Sequence, residues 1–394
     1  MAPDTLSRRT IVFVNIAHAF DHFLPLIYPT AVLAMAPDLG LSYGSLIGLS
    51  TGTFVAFGLF SLPVGWIADR IGRRRLMAIF FGGCGVTLFG LASTSSRPLL
   101  AAWLFLLGAV LAIYHPVGST MLVANTRRLG HDLGWNGVWG NLGASLASGI
   151  TAVIAAYAGW RTAIAVPGVV CILVGVAFWV LVPSDGEART ADKAATPLIP
   201  VTRPLALLAI FAVAIIAGGM TFNITTITLP KVLDERLGLA LPLSLTGSLA
   251  TMVFTFGALT QLLMGKLVER YPLPKIFVGL AVLQPLGLGL TALSTGVPLL
   301  IGLVLTMAAI YGQVVINDAM VARYVPSHLR AKAFSVRYFL GFTAAGMAVP
   351  TIALLHENGG FPIVLGAASV FGAVVFLSAI AFLRVASDKS TLAK

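Results

Sequence analysis

Long apolar stretches separated by short polar loops dominate the pattern of this chain. A helix needs roughly 20 apolar residues to cross a bilayer, and twelve stretches meet that length. They lie at about 10–36, 44–68, 76–95, 98–125, 133–158, 161–182, 204–230, 244–268, 275–294, 297–323, 331–355 and 361–384. The pattern predicts an all-α membrane protein with twelve transmembrane helices in two pseudo-symmetric six-helix bundles.

The longest polar break divides the twelve stretches six and six. We therefore predict an N-terminal six-helix bundle at 1–182, a cytosolic linker at 183–203 and a C-terminal six-helix bundle at 204–394. A short pattern repeats in both halves.

Gly65 and Asp69 follow the second stretch, and Gly265 and Glu269 follow the eighth at an offset of 200 residues. Repeated halves of the same orientation are a known plan for proteins that span the membrane.

Composition and charge support this interpretation. Hydrophobic residues make up 58% of the chain and charged residues 10%, whereas soluble domains carry about 25% charged residues. The net charge is +11, and 20 of the 25 Lys and Arg lie at the termini and in the loops of one side. The positive-inside rule places that side, with both termini, in the cytosol. It also removes the need for a nucleic-acid partner.

The loop after the second stretch carries the most specific motif. Its residues are Gly65, Asp69, Arg70, Gly72, Arg73 and Arg74. Gly72 permits a tight turn, and the arginines can pair with Asp69 or cap helix C-termini. The segment resembles the loop 2–3 signature of the major facilitator superfamily, G-x-x-x-D-R-x-G-R-[KR]-x. A positive-inside loop without further function is the alternative interpretation.

A second set of motifs lies in the fourth and fifth stretches. Tyr114-His115-Pro116, Gly130-His131 and Gly140-Asn141-Leu142-Gly143 resemble the fosmidomycin-resistance branch of that superfamily. This resemblance implies a proton-driven exporter of small molecules. The stretch 144–149 has no proline, unlike many exporters of the superfamily, so uptake remains an alternative.

An acidic residue at membrane depth calls for an explanation, because inserting an Asp at the centre of a membrane helix costs about 2.5–3.5 kcal/mol of free energy. Only Asp21 and Asp318 lie deep in the predicted spans. His18, Asp21 and His22 are spaced to share one helix face, and a carboxylate between two imidazoles can pass a proton. A buried lock between helices and a transition-metal site are the alternatives. We expect no metal and no cofactor.

Further polar groups fall in the fourth stretch and the second half. His115 precedes Pro116, which leaves the carbonyl of Ala112 without its helical donor and should kink the span. His115 then either lines a cavity or belongs to a structural kink. The repeat places Asn317 and Asp318 at the position corresponding to His115. Asp318 either belongs to a site or forms a structural ion pair with Arg337.

Two asparagines complete the candidate residues. Asn223 repeats the position of the first cluster in the seventh stretch. Asn141 lies among glycines that recur at every third residue of the fifth stretch, Gly134, Gly137, Gly140 and Gly143, a pattern typical of close helix packing.

The sequence thus predicts a proton-coupled secondary transporter that moves a small organic compound by alternating access, as an exporter in a bacterial-type inner membrane. Its partners would be the solute, protons and the lipid bilayer, and we expect a monomer. Uptake of a metabolite is the second hypothesis; transition-metal transport and a receptor or scaffold without transport follow. We do not expect an enzyme, because HExxH, GxSxG and P-loop motifs are lacking.

Overall fold

The computed structural model describes residues 3–126, 129–182, 203–238, 240–325 and 327–387, and every regular element in these ranges is a helix. Of the predicted linker 183–203, all but Arg203 lies outside the described residues. The helices, in chain order, are α1 Pro3–Leu39, α2 Tyr43–Leu49, α3 Thr51–Ile71, α4 Arg73–Ala92, α5 Arg97–Leu111, α6 Tyr114–Asn125, α7 Leu129–Leu181, α8 Pro204–Arg236, α9 Leu243–Arg270, α10 Leu273–Ala281, α11 Leu283–Leu293, α12 Gly296–Tyr324 and α13 Ser327–Ser387.

Ten helical segments in the described ranges are long and apolar enough to cross a membrane. Two of them, Gly134–Leu181 and Phe339–Ala386, have 48 residues each. At 1.5 Å per residue such a segment is about 72 Å long, more than twice the roughly 30 Å of a bilayer core. Each is interrupted by a glycine in the left-handed region, Gly159 (φ 80°) and Gly360 (φ 67°). Each can therefore supply two crossings, and the count of twelve stays a prediction.

Prolines divide two other spans. α5 ends at Leu111 and α6 begins at Tyr114, so the break falls at the carbonyl that Pro116 leaves without a donor. The break between α10 and α11 lies at Val282, three residues before Pro285. The kink predicted for the fourth stretch is therefore present, and it sets the position of the residue that precedes Pro116.

The helices group into two compact units. The first contains Met1–Lys193 and Leu241–Met252, and the second contains Ala194–Ala240 and Val253–Lys394. The first boundary lies within the predicted linker, but the start of α9 groups with the first unit. In the first unit α1 packs along α7, and in the second α8 packs along α13. These pairs occupy equivalent positions in the two sequence halves.

Glycines allow α1 and α7 to approach closely. A Cβ atom on Gly143 would lie 2.0 Å from the carbonyl oxygen of Ala19, and one on Gly140 would lie 2.8 Å from the ring of His18. Gly134 and Gly137 have no atom within 4 Å of that position. Only two of the four repeated glycines therefore serve helix packing.

The chain has two cysteines, and both lie in the first unit. Cys84 on α4 and Cys171 on α7 are free thiols and are completely buried.

Candidate functional site

Three side chains of α1 meet one of α6 inside the first unit. His18, Asp21 and His22 share one face of α1, and Nε2 of His115 lies 3.1 Å from Oδ2 of Asp21. The break before α6 places His115 at this depth. The structure thus brings together four of the predicted residues, which we call the histidine cluster.

The hydrogen bonds of His18 fix which ring nitrogens donate and which accept. Nδ1 of His18 lies 2.7 Å from the main-chain oxygen of Asn136, and a carbonyl only accepts, so Nδ1 carries the hydrogen. In a neutral imidazole Nε2 of His18 is then the acceptor. Nε2 of His22 lies 3.1 Å away and donates to it. The backbone of α7 therefore selects the tautomer of a side chain on α1.

The pair of Asp21 and His115 is buried unequally. The Asp21 side chain is 2% exposed and that of His115 is 22% exposed. Oδ1 of Asp21 is buried and has no hydrogen-bond partner within the described part of the chain. The imidazole of His115 is therefore the accessible partner of this pair, and the carboxylate of Asp21 is the enclosed one.

The buried amide of Asn136 supports the histidine cluster from α7, and the sequence did not predict its contacts there. Nδ2 of Asn136 donates to Oδ1 of Asn15 at 2.9 Å and lies 3.0 Å from the hydroxyl of Tyr114. The Tyr114 ring stacks on His18 with centroids 4.8 Å apart. Asn15 precedes His18 by three residues, and that helical spacing was the available signal for it.

The second unit holds the other predicted charges. Nη1 of Arg337 on α13 donates to Oδ1 of Asp318 on α12. The Arg337 side chain is 11% exposed and that of Asp318 is 49% exposed. Oδ1 of Asn317 is buried and has no partner in the described ranges. Nδ2 of Asn223 donates to the carbonyl of Gly219 in its own helix, at 2.8 Å.

Asn141 lies in the first unit, half-buried on α7. The structure therefore joins Asp318 to Arg337, whereas the amide of Asn223 bonds within its own helix.

A second buried network, in the second unit, was missed by the sequence reasoning. Oγ1 of Thr221 donates to Oε1 of Gln284 at 3.0 Å, and Nε2 of Gln284 donates to Oε1 of Gln313. Nε2 of Gln313 lies 3.4 Å from the main-chain oxygen of Ala214. Both glutamines are at most 3% exposed. The network ties α8, α11 and α12 together and carries no formal charge.

The loop motif behaves as a helix cap. Gly72 separates α3 from α4 with a φ of 91°, a conformation that glycine adopts readily. Arg74 donates to the main-chain oxygen of Trp179 near the end of α7. The Asp69 side chain forms no hydrogen bond or ion pair with any residue that the structure describes, so the predicted pairing with the arginines is not found. The capping alternative accounts for Arg74.

The remaining motif residues lie on the flanking helices. Arg70 lies over the ring of Trp66, 3.4 Å from its centroid. Gly65 lies on α3, where an added Cβ atom would have no neighbour within 4 Å. Arg73 is the first residue of α4.

Three imidazoles could also hold a cation. The nitrogens of His18, His22 and His115 all lie within 4.8 Å of one another, and imidazole suits transition metals. Each of the three rings also has a protein partner: His18 bonds to Asn136 and His22, and His115 pairs with Asp21.

Comparison with known proteins gives the family. The model of the Major Facilitator Superfamily matches residues 11–316 and 237–394. A probable hexose phosphate transport protein of Chlamydia pneumoniae is 27% identical over 164 residues, which is 41% of this chain and 36% of that protein. A protein of the same description from Chlamydia muridarum is 26% identical over 163 residues. The matched region thus spans about a third of these relatives.

Solved structures show the same fold over nearly the whole chain. A bacterial homologue of the human lysosomal transporter Spinster, in an inward-facing and occupied conformation, has a TM-score of 0.79 at 13% identity and covers 96% of this chain and 98% of its own. The nucleoside transporter NupG has a TM-score of 0.74 at 14% identity and covers 95% and 99%.

Proposed function

This chain belongs to the Major Facilitator Superfamily, and on that basis we propose that it is a proton-coupled secondary transporter of a small organic compound. Multi-pass membrane transport of small molecules follows from the family and the fold. Proton coupling is the further step, and alternating access would carry the solute across.

The pair of His115 and Asp21 is the observation that carries this proposal. Two titratable groups lie 3.1 Å apart among apolar helices, where an ionisable side chain marks a functional position by default. His115 is partly exposed and Asp21 is buried, so a proton can enter through the imidazole and reside on the carboxylate. The hydrogen bond from His22 to His18 keeps each of these two neighbouring rings in one tautomer.

The identity of the solute and the direction of transport are inferred from resemblances alone. Resemblance to the fosmidomycin-resistance branch favours export, whereas the hexose phosphate relatives favour uptake or exchange of a phosphorylated sugar as the second candidate. We place the protein in a bacterial-type inner membrane as a monomer with cytosolic termini, without resident metal or cofactor.

Two steps test proton coupling. A thermal-shift screen of the purified protein with fosmidomycin, glucose 6-phosphate and uridine first identifies a solute that binds. Transport of that solute is then measured in proteoliposomes with and without a pH gradient, with pyranine inside to report protons.

Wild-type protein should move solute and protons together. Asp21→Asn should abolish gradient-driven transport and keep exchange of solute for solute. Asp38→Asn, on the same helix and bonded to Trp160, is the matched control and should retain gradient-driven transport. Normal gradient-driven transport by Asp21→Asn contradicts the proposal.

A further inference from the structure

One basic residue of the second unit lies where the bilayer makes a charge expensive. Arg337 lies well inside the predicted span 331–355, whereas every other Lys and Arg of the chain lies outside the predicted spans or close to one of their ends. Charged side chains in such segments face the protein interior or a water-filled cavity and mark solute or ion pathways. The proposed proton pathway in the first unit does not use it.

We infer that Arg337 binds an anionic oxygen group of the transported solute, a phosphate or carboxylate, and that Asp318 holds the guanidinium until the solute displaces it. This inference rests on the proposed function and adds a solute class to it.

The unequal exposure of the pair supports displacement. The Arg337 side chain is 11% exposed and the Asp318 side chain 49%. A pair built only to stabilise the unit would shield both partners, and an ion pair with one partner half in solvent contributes little to stability. Here the carboxylate is the accessible partner, so a competing anion can approach the face of the guanidinium that Asp318 occupies.

The chemistry of the two groups specifies the ligand. A guanidinium presents planar, paired N–H donors that match the geometry of a carboxylate or phosphate. The group it holds in this structure, the Asp318 carboxylate, is itself such an oxyanion. Asp318 thus stands where the anionic group of a solute would bind, and removing its charge should strengthen solute binding.

The test is a set of calorimetric titrations on purified full-length protein in nanodiscs of phosphatidylcholine. The probes are glucose 6-phosphate, inorganic phosphate and succinate, with glucose as the uncharged counterpart. The variants are Arg337→Gln, Arg337→Lys and Asp318→Asn. Lys231→Gln is the matched control, because Lys231 forms an ion pair on α8 of the same unit.

At least one anion should bind the wild-type protein, and glucose should not. Arg337→Gln should lower the affinity for that anion by about tenfold or more, since removing one partner of a charged contact weakens binding strongly. Arg337→Lys should retain part of the affinity, Lys231→Gln should leave it unchanged, and Asp318→Asn should increase it about threefold or more, because an internal competitor is gone.

Several results would overturn the inference. If Asp318→Asn lowers anion affinity, the carboxylate contacts the solute; if it changes only the melting temperature, the pair is structural. Loss of solute binding in nanodiscs with phosphatidylglycerol would assign Arg337 to a lipid headgroup.

Absence of binding by every anion would also refute it, although proton-coupled transport of an uncharged solute such as uridine would leave the proposed function intact. If Asp318→Asn does not fold, equal anion affinities of Arg337→Gln and wild-type protein give the same refutation.

Discussion

Replacing His115 by glutamine separates a proton carrier from a packing residue. A glutamine amide can donate to Oδ2 of Asp21, which lies 3.1 Å from Nε2 of His115 in the native protein. It cannot take up a proton near neutral pH, whereas an imidazole can. The substitution therefore keeps the hydrogen bond and removes the titration.

The structure sets the size of the stability effects. Glutamine keeps one hydrogen bond to the carboxylate, so we expect the free energy of unfolding to fall by at most about 1 kcal/mol. His115→Ala removes that bond as well. Oδ1 of Asp21 already has no partner in the described ranges, so alanine would leave a buried carboxylate with neither oxygen bonded, which costs about 3–5 kcal/mol.

The assay pairs transport with stability. Melting temperatures in detergent should fall slightly for His115→Gln and clearly for His115→Ala. Gradient-driven transport in proteoliposomes should drop at least about tenfold for His115→Gln, although the protein stays folded and still binds the solute. A His115→Gln variant that transports normally but melts earlier would show that His115 is structural, and the proton pathway would have to avoid it.

Three further substitutions test other parts of the structure. Asp69→Asn should lower the maximal transport rate with little change in solute affinity, because Asp69 is exposed at the end of α3 and the motif it belongs to is expected to act on conformational change rather than on solute binding; a loss of affinity at an unchanged rate would contradict this. Gln313→Leu should lower the free energy of unfolding by about 1–3 kcal/mol, because the buried amide of Gln284 loses its acceptor; thermal unfolding measures this, and transport per folded molecule should persist. Gly143→Ala should reduce the yield of monodisperse protein in size-exclusion chromatography, because α1 leaves no room for a Cβ atom, whereas Gly134→Ala, which has open space, should not; equal yields would refute the packing role.

Local spacing predicted the part of the site that lies within one helix. His18, Asp21 and His22 could be assigned to one face because the helical period puts residues three and four apart on the same side. Pro116 likewise located the break that positions His115, since the missing N–H acts at a fixed distance along the chain.

Contacts between helices could not be predicted from the sequence. Nothing in the spacing of Gln284 and Gln313 shows that they meet, because they come from different helices and their pairing depends on packing. The same is true of Asn136, whose main-chain oxygen selects the tautomer of His18.

The number of helical segments is smaller than the number of predicted spans, because α7, for example, covers two of those spans. They meet near Gly159, where the helix is interrupted with almost no polar loop between the two apolar stretches.

The two buried thiols make this protein convenient for spectroscopic labelling. Thiol reagents attack the exposed thiolate, and thiols buried in apolar surroundings are inert. Cys84 and Cys171 are completely buried, so maleimide probes should ignore the native chain while it stays folded. A cysteine introduced on a surface of each unit would then take a fluorophore or spin label without a cysteine-free background, and distances could be followed during turnover. Slow maleimide uptake by the unmodified chain would in turn report its unfolding.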